Sequence, residues 1–136
     1  MASAGFALQR AIFERLSADG QLTALIGPSR IYDDVPREAE FPYVTFGQTM
    51  LSEYSTGEAE GYEHVVTLHV WSRANGRRQT HEVMAAVRAA LHDASLTLTG
   101  YRLVNLRHEL SEARRDPDGD TYHGLVRFRA VTEPLG

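Results

Sequence analysis

The chain of 136 residues has 43% hydrophobic and 24% charged residues and a net charge of −4, which fits one soluble domain with a single core burying about 68–70% of its unfolded surface. The acidic balance argues against a dedicated nucleic-acid binder, which needs a basic excess to displace counterions from phosphate. The absence of cysteine excludes disulfides, zinc–thiolate centres and thiol chemistry.

No apolar run approaches the roughly 20 residues of a membrane-spanning helix. The start, Met-Ala-Ser-Ala-Gly-Phe-Ala-Leu, has no basic region ahead of an apolar stretch, so no signal peptide is expected and the chain should stay where it is made. All 14 basic side chains are arginine. That choice fits either a GC-rich genome or a surface built for bidentate contacts with carboxylates.

In chain order, Leu8, Ile12 and Leu16 recur at helical spacing with Phe13 beside them, predicting an amphipathic helix over Ala4 to Ala18. Asp19-Gly20 ends it. A shorter apolar turn follows from Leu22 to Ile26, and Gly27-Pro28 forbids its continuation. A short strand around Arg30 to Tyr32 leads to a second, Tyr43 to Met50, with Val44, Phe46 and Met50 on one face. Leu51 to Gly61 breaks every period and reads as an exposed loop or a long, mobile hairpin tip carrying Glu53, Tyr54, Glu58 and Glu60. Few apolar anchors offset the entropy of fixing it, so it is expected to be poorly ordered in the free subunit and to order on assembly.

Tyr62 to Arg73 resumes strand alternation, with Val66, Leu68 and Val70 facing one way and Thr67, His69 and Trp71 the other. An aromatic as large as Trp71 on the second face should be covered by the second helix or by a neighbouring subunit. That helix is expected from about Arg77 to His92, with Val83, Val87, Ala90 and Leu91 as its buried stripe. A small extended piece, Leu96 to Leu98, precedes two long strands. Tyr101 to Arg114 places Val104, Leu106 and Leu110 together, and Asp120 to Thr132 does the same for Tyr122, Val126, Phe128 and Ala130. Asp116-Pro117-Asp118-Gly119 joins them, with proline and glycine where a tight turn needs them. The order implies an α+β single domain spanning 1–136, a mostly antiparallel sheet of about five strands with two main helices on one face.

The sequence offers no catalytic, cofactor or metal site. Asp116, Asp118 and Asp120 alternate as in a calcium loop, but Thr121 and Arg127 stand where glycine and glutamate are required. His81 and His92 share a helix face yet lie about 16 Å apart, too far for one ion. There is no Gly-x-Ser-x-Gly elbow and no glycine-rich phosphate loop. What remains is surface for protein contact. Arg73, Arg77 and Arg78 cluster between strand and helix, Arg127 and Arg129 project from the polar face of the last strand, and Glu53, Glu58, Glu60 and Glu63 gather in or beside the irregular segment. Such segregated charge is what a head-to-tail ring would use to match subunits, and equally what a solvated surface looks like.

Three fragments keep a fixed order: LHVWSRANGR, AAVRAALHDASLTLTGYRLVNLR and RRDPDGDTYHGLVRFRA. Ahead of them ALIGPSRIYDDVPREAEFPYVTFG carries Val-Pro at 35 to 36 and Phe-Pro-Tyr-Val at 41 to 44. Together they resemble the tail-completion, or tail-terminator, proteins of long-tailed bacteriophages and gene transfer agents. The resemblance implies a structural virion protein, not an enzyme. It implies a hexameric ring on the head-proximal end of the tail tube, touching the major tail tube protein and a head–tail connector or neck protein, assembled in the bacterial host cytoplasm. DNA would pass through the lumen without sequence-specific binding, and no cofactor, metal or membrane is implied. The alternatives are another neck component, such as a head-completion protein, and a small ligand-binding or enzymatic α+β domain.

Overall fold

A computed structural model of the chain describes residues 3–57, 59–74 and 76–135. Helix α1 is Ala4–Ser17, and its Leu8, Ile12 and Leu16 are fully buried, each such burial contributing about 1.5–3 kcal/mol. Ser3 caps it by accepting the Phe6 N–H at 3.1 Å. The apolar turn after it is a true helix, α2, Gly20–Ile26. Asp19 makes the difference, since its carboxylate accepts the Leu22 N–H at 2.8 Å and nucleates a second start where the first helix ends. Gly27, at φ 85°, closes α2.

The strands are β1 Ile31–Tyr32, β2 Tyr43–Thr56, β3 Ala59–Ser72, β4 Thr97–Leu98, β5 Tyr101–Arg115 and β6 Tyr122–Pro134, with helix α3, Arg78–Leu91, between β3 and β4. They form one six-stranded sheet in the order β1-β2-β3-β6-β5-β4. Only β1–β2 is parallel; every other pair is antiparallel. The expected five strands and two main helices thus become six and three, in a mixed sheet.

One face of the sheet carries the core. Val44, Val66, Leu68, Val70, Leu106, Val126, Phe128 and Ala130 meet the buried stripe of α3, including Val83, Val87 and Leu91, and the buried residues of α1 and α2. Contact is closest at Gly124, where a Cβ would stand 2.5 Å from Met84 Sδ. The opposite face of the sheet is outer.

Two expected faces are corrected by bulges. Between Phe46 and Thr49, β2 gains one residue on β3, so Met50 swings to the outer face and is 56% exposed. On β5, Val104 and Glu109 are the extra residues. Val104 leaves the row of Leu106 and is exposed, and Leu110, opposite Arg127, turns to the outer face. The expected hairpin turn is present: Gly119, at φ 80°, donates its N–H to the Asp116 carbonyl at 3.0 Å. Asp118 accepts from the N–H groups of Asp120 and Thr121 and from the Thr121 hydroxyl, and these bonds hold its carboxyl below the usual range.

Candidate interaction surfaces

The irregular acidic segment is not a loop: β2 and β3 run through it and turn at Gly57. Because β3 pairs with β6 only from Tyr62 onward, the residues before it form a two-stranded arm projecting past the sheet. Glu53 stands opposite Tyr62 on the helix side, and Glu60 lies on the same side. Tyr54 lies on the other side with its ring over Gly61, where a Cβ would come within 2.7 Å of it, so only glycine fits beneath. Glu53, Tyr54, Glu60, Gly61 and Tyr62 line a hollow of about 330 Å³. Burial, then Glu53, push the Tyr62 hydroxyl above its usual pKa. Glu58 lies outside the described residues.

The sheet's two edges are finished differently. At one, β1 pairs only Val44 and Thr45, so β2 from Phe46 onward has no strand outside it among the described residues. At the other, β4 pairs Tyr101 and Arg102. The end of α3 then takes over: the Asp93 N–H donates to the Leu106 carbonyl at 2.8 Å, and His92 Nδ1 accepts the His108 N–H at 3.0 Å. His92 thus serves as an edge cap.

Trp71 is covered by its own sheet. Its indole stacks on His123 at 4.0 Å and 6°, and its Nε1–H donates to Thr45 Oγ1 at 3.0 Å. Lying on the outer face, it is screened by strand neighbours rather than by α3. His69 Nδ1 and His123 Nε2 are 2.6 Å apart, and Arg114 reaches His123 Nδ1 at 3.4 Å. Arginine can only donate, so His123 accepts at Nδ1 and donates from Nε2–H to His69. Burial lowers both imidazoles' pKa; His69 and Arg114 lower that of His123 further, against Asp116 and Glu112. Gly47 makes room, since a Cβ there would stand 2.3 Å from His69 Nε2.

The expected arginine groups divide. Arg73 lies over the Phe41 ring at 4.3 Å and donates to Thr121 Oγ1 at 3.1 Å. Arg77 and Arg115 approach Tyr122, at 5.8 and 5.4 Å from its ring centroid. Together they make an arginine-rich end beside the β5–β6 turn, next to its Asp118 and Asp120. Arg78 stands apart, paired with Glu82 along α3 at 3.8 Å. Arg129 already holds Glu63 at 2.9 Å and Glu109 at 3.1 Å, and Arg127 lies 3.9 Å from Glu109. Glu63, Arg129 and Glu109 therefore form a ladder across three strands, joining acids and bases that sequence spacing assigned to separate elements.

No group of three or more histidine, aspartate or glutamate side chains is placed to hold a metal ion among the described residues. The molecule's resources are an arm, an open strand edge and an arginine-rich end, the equipment of an assembly protein. Residues 10–133 match the family model described as Tail completion protein gp17, and the chain belongs to that family of structural tail proteins of virion particles. The curated relative "Tail completion protein gp17" of Bacillus phage SPP1 is 25% identical over 123 residues, covering 90% of each chain. A solved chain in the virion of a native gene transfer agent particle is 33% identical, with TM-score 0.89, covering 98% of this chain and 99% of that one. A further solved chain, 13% identical with TM-score 0.56, shares the fold.

Proposed function

We propose that this protein closes the head-proximal end of a tail tube as a six-fold ring, stops tube polymerisation and joins the tail to the neck proteins of the head. The observation that carries this reading is the match along nearly the whole chain to a component of an assembled gene transfer agent virion. The acidic balance suits a lumen through which DNA passes without being held. Subunits meet through two surfaces, the arginine end with Arg73 and Arg77 and the arm with Glu53, Tyr54 and Glu60, each forming charge pairs with a neighbour. Partly buried pairs of this kind each contribute about 1.5 kcal/mol or more, whereas exposed ones contribute about 0–1 kcal/mol.

Reversing Arg73 and Arg77 to glutamate tests it. The subunit should still fold, while tails grow to uncontrolled length and fail to join heads. Co-purification of the unaltered protein with the portal but not with the tube protein would assign it instead to another neck position.

A further inference from the structure

The open edge of β2 deepens the ring reading, on which this inference rests. An uncovered edge displays unpaired N–H and C=O groups that another strand completes, and folded proteins usually guard such edges with charge, proline or bulges. From Thr49 to Thr56, β2 carries a single charged residue, Glu53, and no proline. Met50 is 56% and Leu51 44% exposed. The outward groups follow from the pairing. Val44 donates its N–H outward to the Arg30 carbonyl, and alternation carried through the bulge turns the backbone groups of Thr49, Leu51 and Glu53 to the open side.

The far edge offers a matching stretch. On β5 the outward groups of Leu106 and His108 are taken by Asp93 and His92. Past the bulge at Glu109, those of Ser111, Ala113 and Arg115 come next, with no strand beside them among the described residues. The two stretches lie on opposite edges of one sheet, as head-to-tail addition requires. The strands β2 and β5 also run in opposite senses, so the joint continues the antiparallel pattern. The stretches lie toward opposite ends of the sheet, and a closed sheet needs such a stagger between strands.

We propose that the β2 edge at Thr49–Glu53 pairs antiparallel with the β5 edge at Ser111–Arg115 of a second copy of this chain, running the sheet from subunit to subunit around the ring. The absence of native cysteine allows a clean test. Ser52, opposite Glu63, and Glu112, opposite Leu125, both lie on the outer face. Tails capped by a chain carrying Ser52→Cys and Glu112→Cys, treated with a flexible bis-maleimide, should yield a ladder of covalent multimers of this chain. Each single variant should yield monomers only. In parallel, amide exchange at Thr49, Leu51 and Glu53 of the unaltered protein should slow in capped tails relative to the free subunit. Capped tails without the ladder and without slowed exchange would overturn the edge pairing alone. Ser52→Cys linking to itself or to the tube protein would overturn it in favour of a different occupant. A chain absent from the tails would overturn the proposed function and the pairing together.

Discussion

The two edges of this sheet show one problem handled in opposite ways. On β5 the exposed backbone is broken by two bulges, covered by β4 and capped by His92 and Asp93 from the end of α3. On β2 the two-residue strand β1 covers the start, one bulge follows before Thr49, and the rest runs out uncovered into the arm. A protein that needed only to stay folded and soluble would gain from guarding both edges. The contrast therefore marks β2 from Thr49 and β5 from Ser111 as kept available, and the guarded stretch of β5 as the limit of how far a partner strand can extend.

The comparison assumes a rigid sheet between the edges, and Phe128→Ala challenges that assumption most strongly. Phe128 is fully buried in the middle of the core, and its truncation should cost about 3–5 kcal/mol, read from urea denaturation. Less severe is His92→Ala, which leaves the His108 N–H without its acceptor. It should cost about 1–2 kcal/mol, and exchange of the His108 amide should accelerate, turning the closed edge into a partly open one. If that amide did not respond, the cap would be incidental and the contrast between the edges would weaken.

Acid should act on the sheet between the edges. Burial lowers the folded-state pKa of His64, His69 and His123 below the ordinary imidazole value. Above about pH 6.5 these groups are neutral whether the chain is folded or not. As the pH falls through that value the unfolded chain takes up protons that the folded chain resists, so stability declines until the pH passes below the folded values. Thermal midpoints from pH 8 to 5 should fall, and His123→Gln should flatten the profile. The smallest effect is expected at the open edge: Met50→Ser should leave stability within about 0.5 kcal/mol while weakening assembly, measured by denaturation and tail-length counts.

Periodicity alone located the helices α1 and α3, the strands β3 and β6 and the turn at Asp116 to Gly119, because each places its apolar residues or its turn residues at the spacing its geometry requires. It failed where one residue resets the spacing. Met50 and Leu110 were assigned to the core face because a bulge has no signature in apolar alternation. The arm read as either a loop or a hairpin tip because glycine, serine and glutamate are poor strand formers, and its ladder to β3 and the cover of Tyr54 over Gly61 depend on register. The histidine pair beside Trp71 was equally hidden, since His69 and His123 are brought together only by the adjacency of β3 and β6. The arginine residues 127 and 129 were recognised as charge, but their partner Glu109 is itself a bulge residue.

The extra residue between Phe46 and Thr49 also works as a phase shifter for everything beyond it. Even-numbered residues face the helices before it and odd-numbered ones after it, which is why Glu53 lies on the helix side and Tyr54 on the outer side. Deleting Gln48 would remove the bulge and restore simple alternation with Thr49 still opposite Val66, so the arm would keep both its faces and the order of its residues. A chain with one residue fewer at this point would thus present the same arm on a straighter, less twisted strand.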